Sequence, residues 1–469
     1  MKPYNYLYML AFIVTFATGC GVSKDIPLPA SETPDAFRNT AEQDIPSIAT
    51  LSVKEFINEP EIQELIDTAL LRNLDLQLAV KNIEAAEILL KQARLGNLPV
   101  LNLQLAASSN RPSDNSLNGL SSGQFLSTKH IEDYEASLGL SWEADIWGKI
   151  KRQKQASLAT YLQTNEAKKA LQTRIVANVA QGFYQLLMLD AQLEVARKNR
   201  LLSDSTLNII RMQFDAGQVT SLAIQQAEAQ QLVAVQLIPR LEQAVNIQEN
   251  ALKILTGKMP AAIERRASLE RMKLPRKLPS GFPAAMVRIR PDVRIAELAL
   301  SRANAEVGVA KAEMYPSLVI SASGGLNSLK ASSWFNIPAS LFGIVSGGIT
   351  QPIFNRRQLK TQYELAKVDR EKVVIEFRQS VLNAVGEVSD ELVKIEKLDQ
   401  EYASSLQRVN ILQQAVKNSD LLFKNGMATY LEVITAQSNS LQSELELAMI
   451  RTAQLIASVE LYRALGGGG

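Results

Sequence analysis

The sequence predicts a mostly α-helical chain that carries a small membrane β-barrel and is built from two structural repeats. Three observations predict it. A set of residues recurs at a fixed offset in the two halves of the chain. Each half holds a proline-free stretch long enough for a helix of roughly 67 residues. Short segments of alternating apolar and polar residues precede both stretches.

Residues 1–19 read as a signal peptide and 20–59 as an extended N-terminal segment. Lys2 precedes an apolar run from Tyr6 to Phe16 that is too short to span a bilayer as a helix. Ala17-Thr18-Gly19-Cys20 follows, a small-residue triplet ending at the only Cys, as in a bacterial lipobox; Ala17 stands where Leu is usual. Cys20 is therefore expected to carry diacylglycerol and an N-acyl chain, each anchoring through roughly 0.8 kcal/mol per buried CH₂. Gly21, rather than Asp, resembles lipoproteins sent to the outer membrane. The alternative is a plain signal peptide with an incidental Cys.

Residues 60–258 and 291–469 read as the two repeats, joined by a linker over 259–290. Ala79, Ala86, Ala93, Pro99 and Leu101 become Ala296, Ala303, Ala310, Pro316 and Leu318 on adding 217. At an offset of 209, Phe214, Gly217, Thr220, Leu222, Ala227, Leu232, Leu252 and Gly257 become Phe423, Gly426, Thr429, Leu431, Ala436, Leu441, Leu461 and Gly466. In the first repeat a helix is expected from Glu61 to Arg94, ended by Gly96 and Pro99. Leu101, Leu103 and Leu105 alternate with polar residues, giving a strand over 101–108. Residues 110–129, rich in Ser, Asn and Gly, read as a loop, and 134–146 as a second strand. A long helix follows over 148–214, with Val176, Ala180, Phe183, Leu187 and Ala191 at helical spacing and Asp145 as its cap. Gly217 breaks it, and a helix covers 221–256. In the second repeat a helix opens at Pro291-Asp292, strands cover 317–325 and 341–353, and helices cover 356–424 and 428–465. Pro260, Pro275, Pro279 and Pro283 mark the linker. A helix of roughly 67 residues is on the order of 100 Å long, which suits a tube better than a globular domain.

Four strands per chain set the assembly. Spanning strands need about 9–11 residues and can cross lipid only in a closed barrel, because an open edge leaves backbone N–H and C=O groups unpaired in hydrocarbon. Four strands cannot close around an aqueous lumen, whereas the twelve of a homotrimer can. Trp142 and Trp147 end a strand where an interfacial aromatic belt is expected. The alternative is a set of soluble hairpins with core tryptophans.

Composition excludes much. Fifty Lys and Arg against 48 Asp and Glu offer no field for nucleic acid. One His (His130, in an expected external loop) and one Cys cannot assemble a Cys/His metal site or a nucleophile pair. No phosphate-binding glycine motif appears, so no enzymatic activity, metal or cofactor beyond the Cys20 lipid is expected.

Five stretches carry a family resemblance: Trp142–Lys149 (WEADIWGK), Arg290–Glu297 (RPDVRIAE), Pro352-Ile353-Phe354, Gly426–Val433 (GMATYLEV) and Leu461–Gly467 (LYRALGG). With the lipobox and the duplication they resemble, over nearly all of the mature chain, the TolC/OprM family of outer-membrane efflux factors, of the NodT lipoprotein type. Asn355-Arg356-Arg357 departs from the family, which often has Gly after Pro-Ile-Phe. The resemblance implies a homotrimer in the outer membrane of a Gram-negative bacterium, with a twelve-stranded barrel continued through the periplasm by a twelve-helix tunnel. It implies the passive exit channel of a tripartite pump for drugs or other small solutes. The partners would be outer-membrane lipid, a periplasmic adaptor (membrane fusion protein) and an inner-membrane pump of the resistance-nodulation-division type.

The resemblance also implies site residues. Ala216, Gly217, Gln218 and Val219, with Asn425, Gly426, Met427 and Ala428, fall on the two helix–helix turns that would meet the adaptor; as helix C-caps the glycines also have a purely structural reading. Glu432 falls where family members place an acidic ring at the periplasmic constriction, and Thr435 occupies the second, usually acidic, position. Glu432 reads equally as a solvated helix-face carboxylate. Arg290-Pro291-Asp292 is read as structural. The alternatives are the channel of a type I protein secretion system, or a lipid-anchored periplasmic coiled-coil scaffold or adaptor, which four strands per chain disfavour.

Overall fold

Where each helix begins and ends follows from a few polar side chains. The computed structural model describes residues 51–125, 129–273 and 289–467. Cys20 and Pro275, Pro279 and Pro283 of the linker lie outside the described residues. The segment read as extended ends in a short helix, α1 (Val53–Phe56), held by a reciprocal capping box between Ser52 and Glu55. Helix α2 (Pro60–Arg72) and helix α3 (Leu74–Arg94) replace the single helix expected over this stretch. Asn73 makes the break. Its Oδ1 accepts from the Leu76 N–H at 3.1 Å and its Nδ2 donates to the Leu255 carbonyl at 2.8 Å, so the side chain competes with the helix backbone.

Strand β1 (Val100–Asn110) precedes a segment read as loop that contains helix α4 (Leu117–Phe125). Ser116 explains it, because its hydroxyl accepts from the Gly119 N–H at 3.1 Å as an N-cap. Strand β2 (Ile131–Ala144) starts and stops earlier than the 134–146 expected. It stops because Asp145 turns to the next helix. Its two carboxylate oxygens accept from the Ile150 and Lys151 N–H groups at 3.0 and 2.9 Å, capping α5 (Lys149–Asp215), 67 residues long.

Helix α6 (Ser221–Leu255, 35 residues) contains Pro239, which removes one backbone donor from its interior. The described part of the linker folds back on its own unit, where Arg265 donates to Asp190 at 2.7 Å. Helix α7 (Pro291–Ala312), strand β3 (Ser317–Ser328), strand β4 (Leu341–Thr350), helix α8 (Gln358–Lys424) and helix α9 (Tyr430–Ala464) complete the chain. Like α5 and α6, α8 and α9 have 67 and 35 residues. Strand β4 ends short of the expected 353, ahead of Pro352, which cannot donate to a ladder. Helix α8 starts two residues later than expected because Arg356 and Arg357 sit at φ +45° and +64°, the left-handed region that disfavours a side chain.

The described residues form two compact units, and each draws on both halves of the sequence. One comprises Glu84–Gln163 and Glu297–Glu376; the other comprises the described residues through Ile83, Thr164–Ala296 and Phe377 onward. In the second unit Ile62, Ile66, Val179, Phe183, Leu187 and Val459 form the largest cluster. Beside it, Val293, Phe377, Val381 and Tyr462 form another, with Tyr462 stacked on Phe56 at 4.2 Å. Two contacts in this unit recur at the offsets found in the sequence. Asn73 caps the Leu255 carbonyl at the end of α6. Arg290, 217 residues later, donates to the Ala464 carbonyl at the end of α9 at 2.8 Å. Arg290 is buried and also binds Asp292 and Glu387 at 2.7 and 2.8 Å. Burial opposes its charge, but these carboxylates outweigh it and raise its pKa; burial likewise opposes the Asp292 charge, and Arg290 holds that carboxyl below its usual value.

Candidate functional site

The first unit is organised by one antiparallel sheet, in the order β1-β2-β3-β4, with β1 and β4 as open edges. Its pairing register sorts the residues by chemistry. Leu101, Leu140, Ala322 and Val345 form one cross-strand row; Leu105, Ala136, Leu326 and Leu341 form another on the same face. The opposite face carries Val100, Ser141, Ser321 and Ser346 in one row and Gln104, Ser137, Gly325 and Phe342 in another. The alternation therefore holds across the whole sheet: one face is apolar and the other largely polar. Among the described residues nothing covers the apolar face, with Leu103 at 69% and Val345 at 80% exposure. Over the polar face lies a cavity of about 320 Å³ lined by Asn102, Glu135, Ser137 and Ser321 among others.

All four long connections leave the sheet at the same end, its foot, where β1 and β3 begin and β2 and β4 end. Trp142, on the apolar face of β2, donates its indole N–H to the Asn97 carbonyl at 2.8 Å. Trp147 donates to the Pro316 carbonyl at 2.6 Å and packs on Tyr315 at 5.0 Å. The opposite rim carries a second aromatic group that sequence reasoning missed: Tyr134 lies 5.6 Å from Trp334, which lies 5.1 Å from Phe335. From Tyr134 to Trp142 is eight residues of β2, about 27 Å along a strand and about 20 Å after a typical tilt.

In the second unit the ends of four helices share one apolar cluster: Leu207 and Ile210 of α5, Ala223 and Ala227 of α6, Phe423 of α8 and Val433 of α9. The two expected turns cap this cluster with the same geometry. Gly217 has φ +73° and Gly426 φ +67°. The Gln218 N–H reaches the Gln213 carbonyl at 2.8 Å, and the Met427 N–H reaches the Leu422 carbonyl at 2.8 Å, which is the Schellman closure. A Cβ at either glycine meets nothing within 4 Å, so positive φ and not crowding calls for glycine. Ala216, Gln218, Asn425 and Met427 are exposed; Val219 and Ala428 pack partly on the cluster.

Glu432 and Thr435 are exposed near the start of α9. Glu432 has a structural task as well: its Oε2 accepts from the Thr429 N–H at 2.6 Å, forming a capping box with Thr429. Thr429 and Glu432 have the T-x-x-E spacing that announces such a box. Sequence reasoning also missed Tyr430, whose hydroxyl donates to Gln226 at 2.9 Å and ties α9 to α6. Gln437 is buried beside Thr206 at 2.9 Å. Among the described residues no group of His, Cys, Asp or Glu is arranged to hold a metal ion, and no helix is long and apolar enough to cross a membrane.

Comparison with known proteins agrees with this geometry. The profile of the "Outer membrane efflux protein" family matches residues 65–258 and 286–467. The chain is 27% identical over 468 residues to the cation efflux system protein CusC of Escherichia coli O6:H1, covering 98% of each chain. It is 28% identical to the toluene efflux pump outer membrane protein TtgI of Pseudomonas putida, covering 97% of each. A crystal structure of the open state of the Neisseria gonorrhoeae MtrE outer membrane channel superposes with a TM-score of 0.84, at 25% identity, over 96% of this chain and 98% of that one. With both sequence halves matched by the profile, the chain belongs to the outer membrane efflux protein family.

Proposed function

We propose that this chain is one third of a homotrimeric exit duct of a tripartite efflux pump, passing small solutes outward passively and catalysing nothing. The observation that carries the proposal is the sheet: four strands, two open edges, one apolar face and one largely polar face. Three copies joined edge to edge supply twelve strands, satisfy the edge groups and turn the polar faces toward a common lumen. The two aromatic rows then lie about as far apart as the roughly 25 Å apolar band of an outer-membrane barrel. The two halves act as structural repeats; equal helix lengths and the recurring caps at Asn73 and Arg290 support this. The helices would continue the barrel as a twelve-helix tunnel. The turns at Gly217 and Gly426 would receive the periplasmic adaptor, which links the duct to an inner-membrane pump of the resistance-nodulation-division type. Cys20 would carry the lipid anchor. Three copies of Glu432 would form the acidic ring of the periplasmic constriction, with Thr435 beside it. Near-equal identity to relatives named for cations and for toluene supports a duct that leaves substrate choice to its pump.

Planar-bilayer recording of the purified protein tests the proposal. It should open as a heat-resistant trimer with a water-filled conductance. A stable monomer that needs no detergent, or a protein silent in bilayers, refutes it.

A further inference from the structure

The foot of the sheet concentrates the chain's positive charge. The four segments that meet there, 91–97, 143–154, 311–316 and 351–360, carry ten Lys and Arg against three Asp and Glu. That surplus of seven stands on a chain whose net charge is +2. The segments converge within one unit: residues from Glu143 to Lys149, from Ala312 to Ser317 and from Thr350 to Leu359 line a single cavity of about 240 Å³. The Trp142 bond to Asn97 ties in the fourth. Arg94, Lys151, Lys154, Arg356, Arg357 and Lys360 are exposed. Among the described residues only Arg357 of these six forms an ion pair, with Glu364 at 3.4 Å.

Folding alone does not favour this arrangement. Lys151 and Lys360 lie in the first turns of α5 and α8, where the helix dipole disfavours cations. Arg356 and Arg357 occupy left-handed backbone that glycine would take without strain. Just before them, Ile353 and Phe354 are 93% and 88% exposed. An apolar pair followed by two guanidinium groups, at the edge of an apolar sheet face, has the amphipathic order of an interfacial anchor.

We propose that the sheet foot is a docking surface for anionic phospholipid headgroups of the membrane leaflet that borders it. The inference rests on reading the sheet as a barrel wall. A second copy of the chain is the lesser candidate, since its own foot presents the same positive charge and like charges repel.

The foot carries its own reporters, Trp142 and Trp147. The test uses the full-length acylated protein with Trp334→Phe, reconstituted in vesicles that contain brominated phosphatidylglycerol or brominated phosphatidylcholine. Tryptophan quenching should show about a fivefold preference for phosphatidylglycerol, the scale expected of even one well-placed basic residue. The preference should fall toward one in about 0.5 M salt. It should also fall in the combined variant Lys151→Gln, Lys154→Gln, Arg356→Gln, Arg357→Gln and Lys360→Gln, and be retained with Arg356→Lys and Arg357→Lys. Equal quenching by both lipids overturns the proposal and leaves the barrel standing. No quenching by either lipid overturns both. Dissociation of the five-Gln variant to monomers in detergent, with no lipid present, overturns the proposal in favour of a subunit contact.

Discussion

Val345 and Ser346 are neighbours in sequence and opposites in the sheet, so the same substitution at each isolates the role of the face. Val345 lies midway along β4 in the row with Leu101, Leu140 and Ala322, 80% exposed in the chain alone. Ser346 lies on the polar face, its hydroxyl 2.8 Å from that of Ser321. If the apolar face meets hydrocarbon, Val345→Arg places a guanidinium near the bilayer midplane at a cost of about 2–4 kcal/mol per chain. Ser346→Arg loses one hydrogen bond worth about 0.5–1.5 kcal/mol and leaves its charge in water. The expected difference is about 1–3 kcal/mol per chain, and about three times that in a trimer whose subunits unfold together. Equilibrium unfolding in urea from phosphatidylcholine bilayers reads it, with the heat-resistant trimer fraction as a second measure. Equal costs at the two positions, or a larger cost at Ser346, would show that the apolar face does not contact lipid.

Three further outcomes are expected. Gly217→Trp and Gly426→Trp each place a side chain at positive φ, costing roughly 1–2 kcal/mol; folded trimers should persist while adaptor-dependent export is lost, and normal drug resistance in both variants would exclude the turns as docking points. Glu432→Gln keeps a capping-box residue, so thermal stability should change little while the bilayer reversal potential moves toward lower cation selectivity; an unmoved potential removes the charge ring. Arg290→Met should lower stability by about 2–4 kcal/mol, a range held down because Asp292 and Glu387 are half exposed. Because Arg290 depresses the Asp292 pKa, that part of the stability is present above the ordinary value of 3.8 and lost as pH falls through the lower folded value. The wild-type melting temperature should therefore drop more steeply below about pH 4 than that of Arg290→Met, and parallel slopes would contradict the assignment.

The sequence shows its long-period features plainly and its single-residue devices poorly. Proline-free stretches and Gly217 and Gly426 mark α5, α6, α8 and α9 to within a few residues, because helix continuity is written in every position. Asn73 was hidden because an Asn inside a helical pattern signals a break only once Leu255 offers it a carbonyl. Ser116 was hidden because capping and turn residues are the same residue types. The two chemistries of the sheet were half legible. Leu101, Leu103 and Leu105 alternate openly, but the glycine- and serine-rich β3 shows its sidedness only through its register with β2 and β4. At the helix ends the sequence pointed to the turns, yet the capping work of Glu432 and the Tyr430–Gln226 link needed the folded geometry.

Each compact unit borrows from distant parts of the chain, and this has a consequence for biogenesis. The β1–β2 hairpin cannot complete the sheet by itself: Ala144 pairs with Leu318, 174 residues downstream. Until that partner emerges, β2 displays unpaired amide and carbonyl groups beside an apolar surface, a combination that invites aggregation. Contacts of such sequence separation also form slowly. The chain therefore passes through an interval in which its first half is made and its strands are unsheltered, and that interval closes only when the second half supplies β3 and β4.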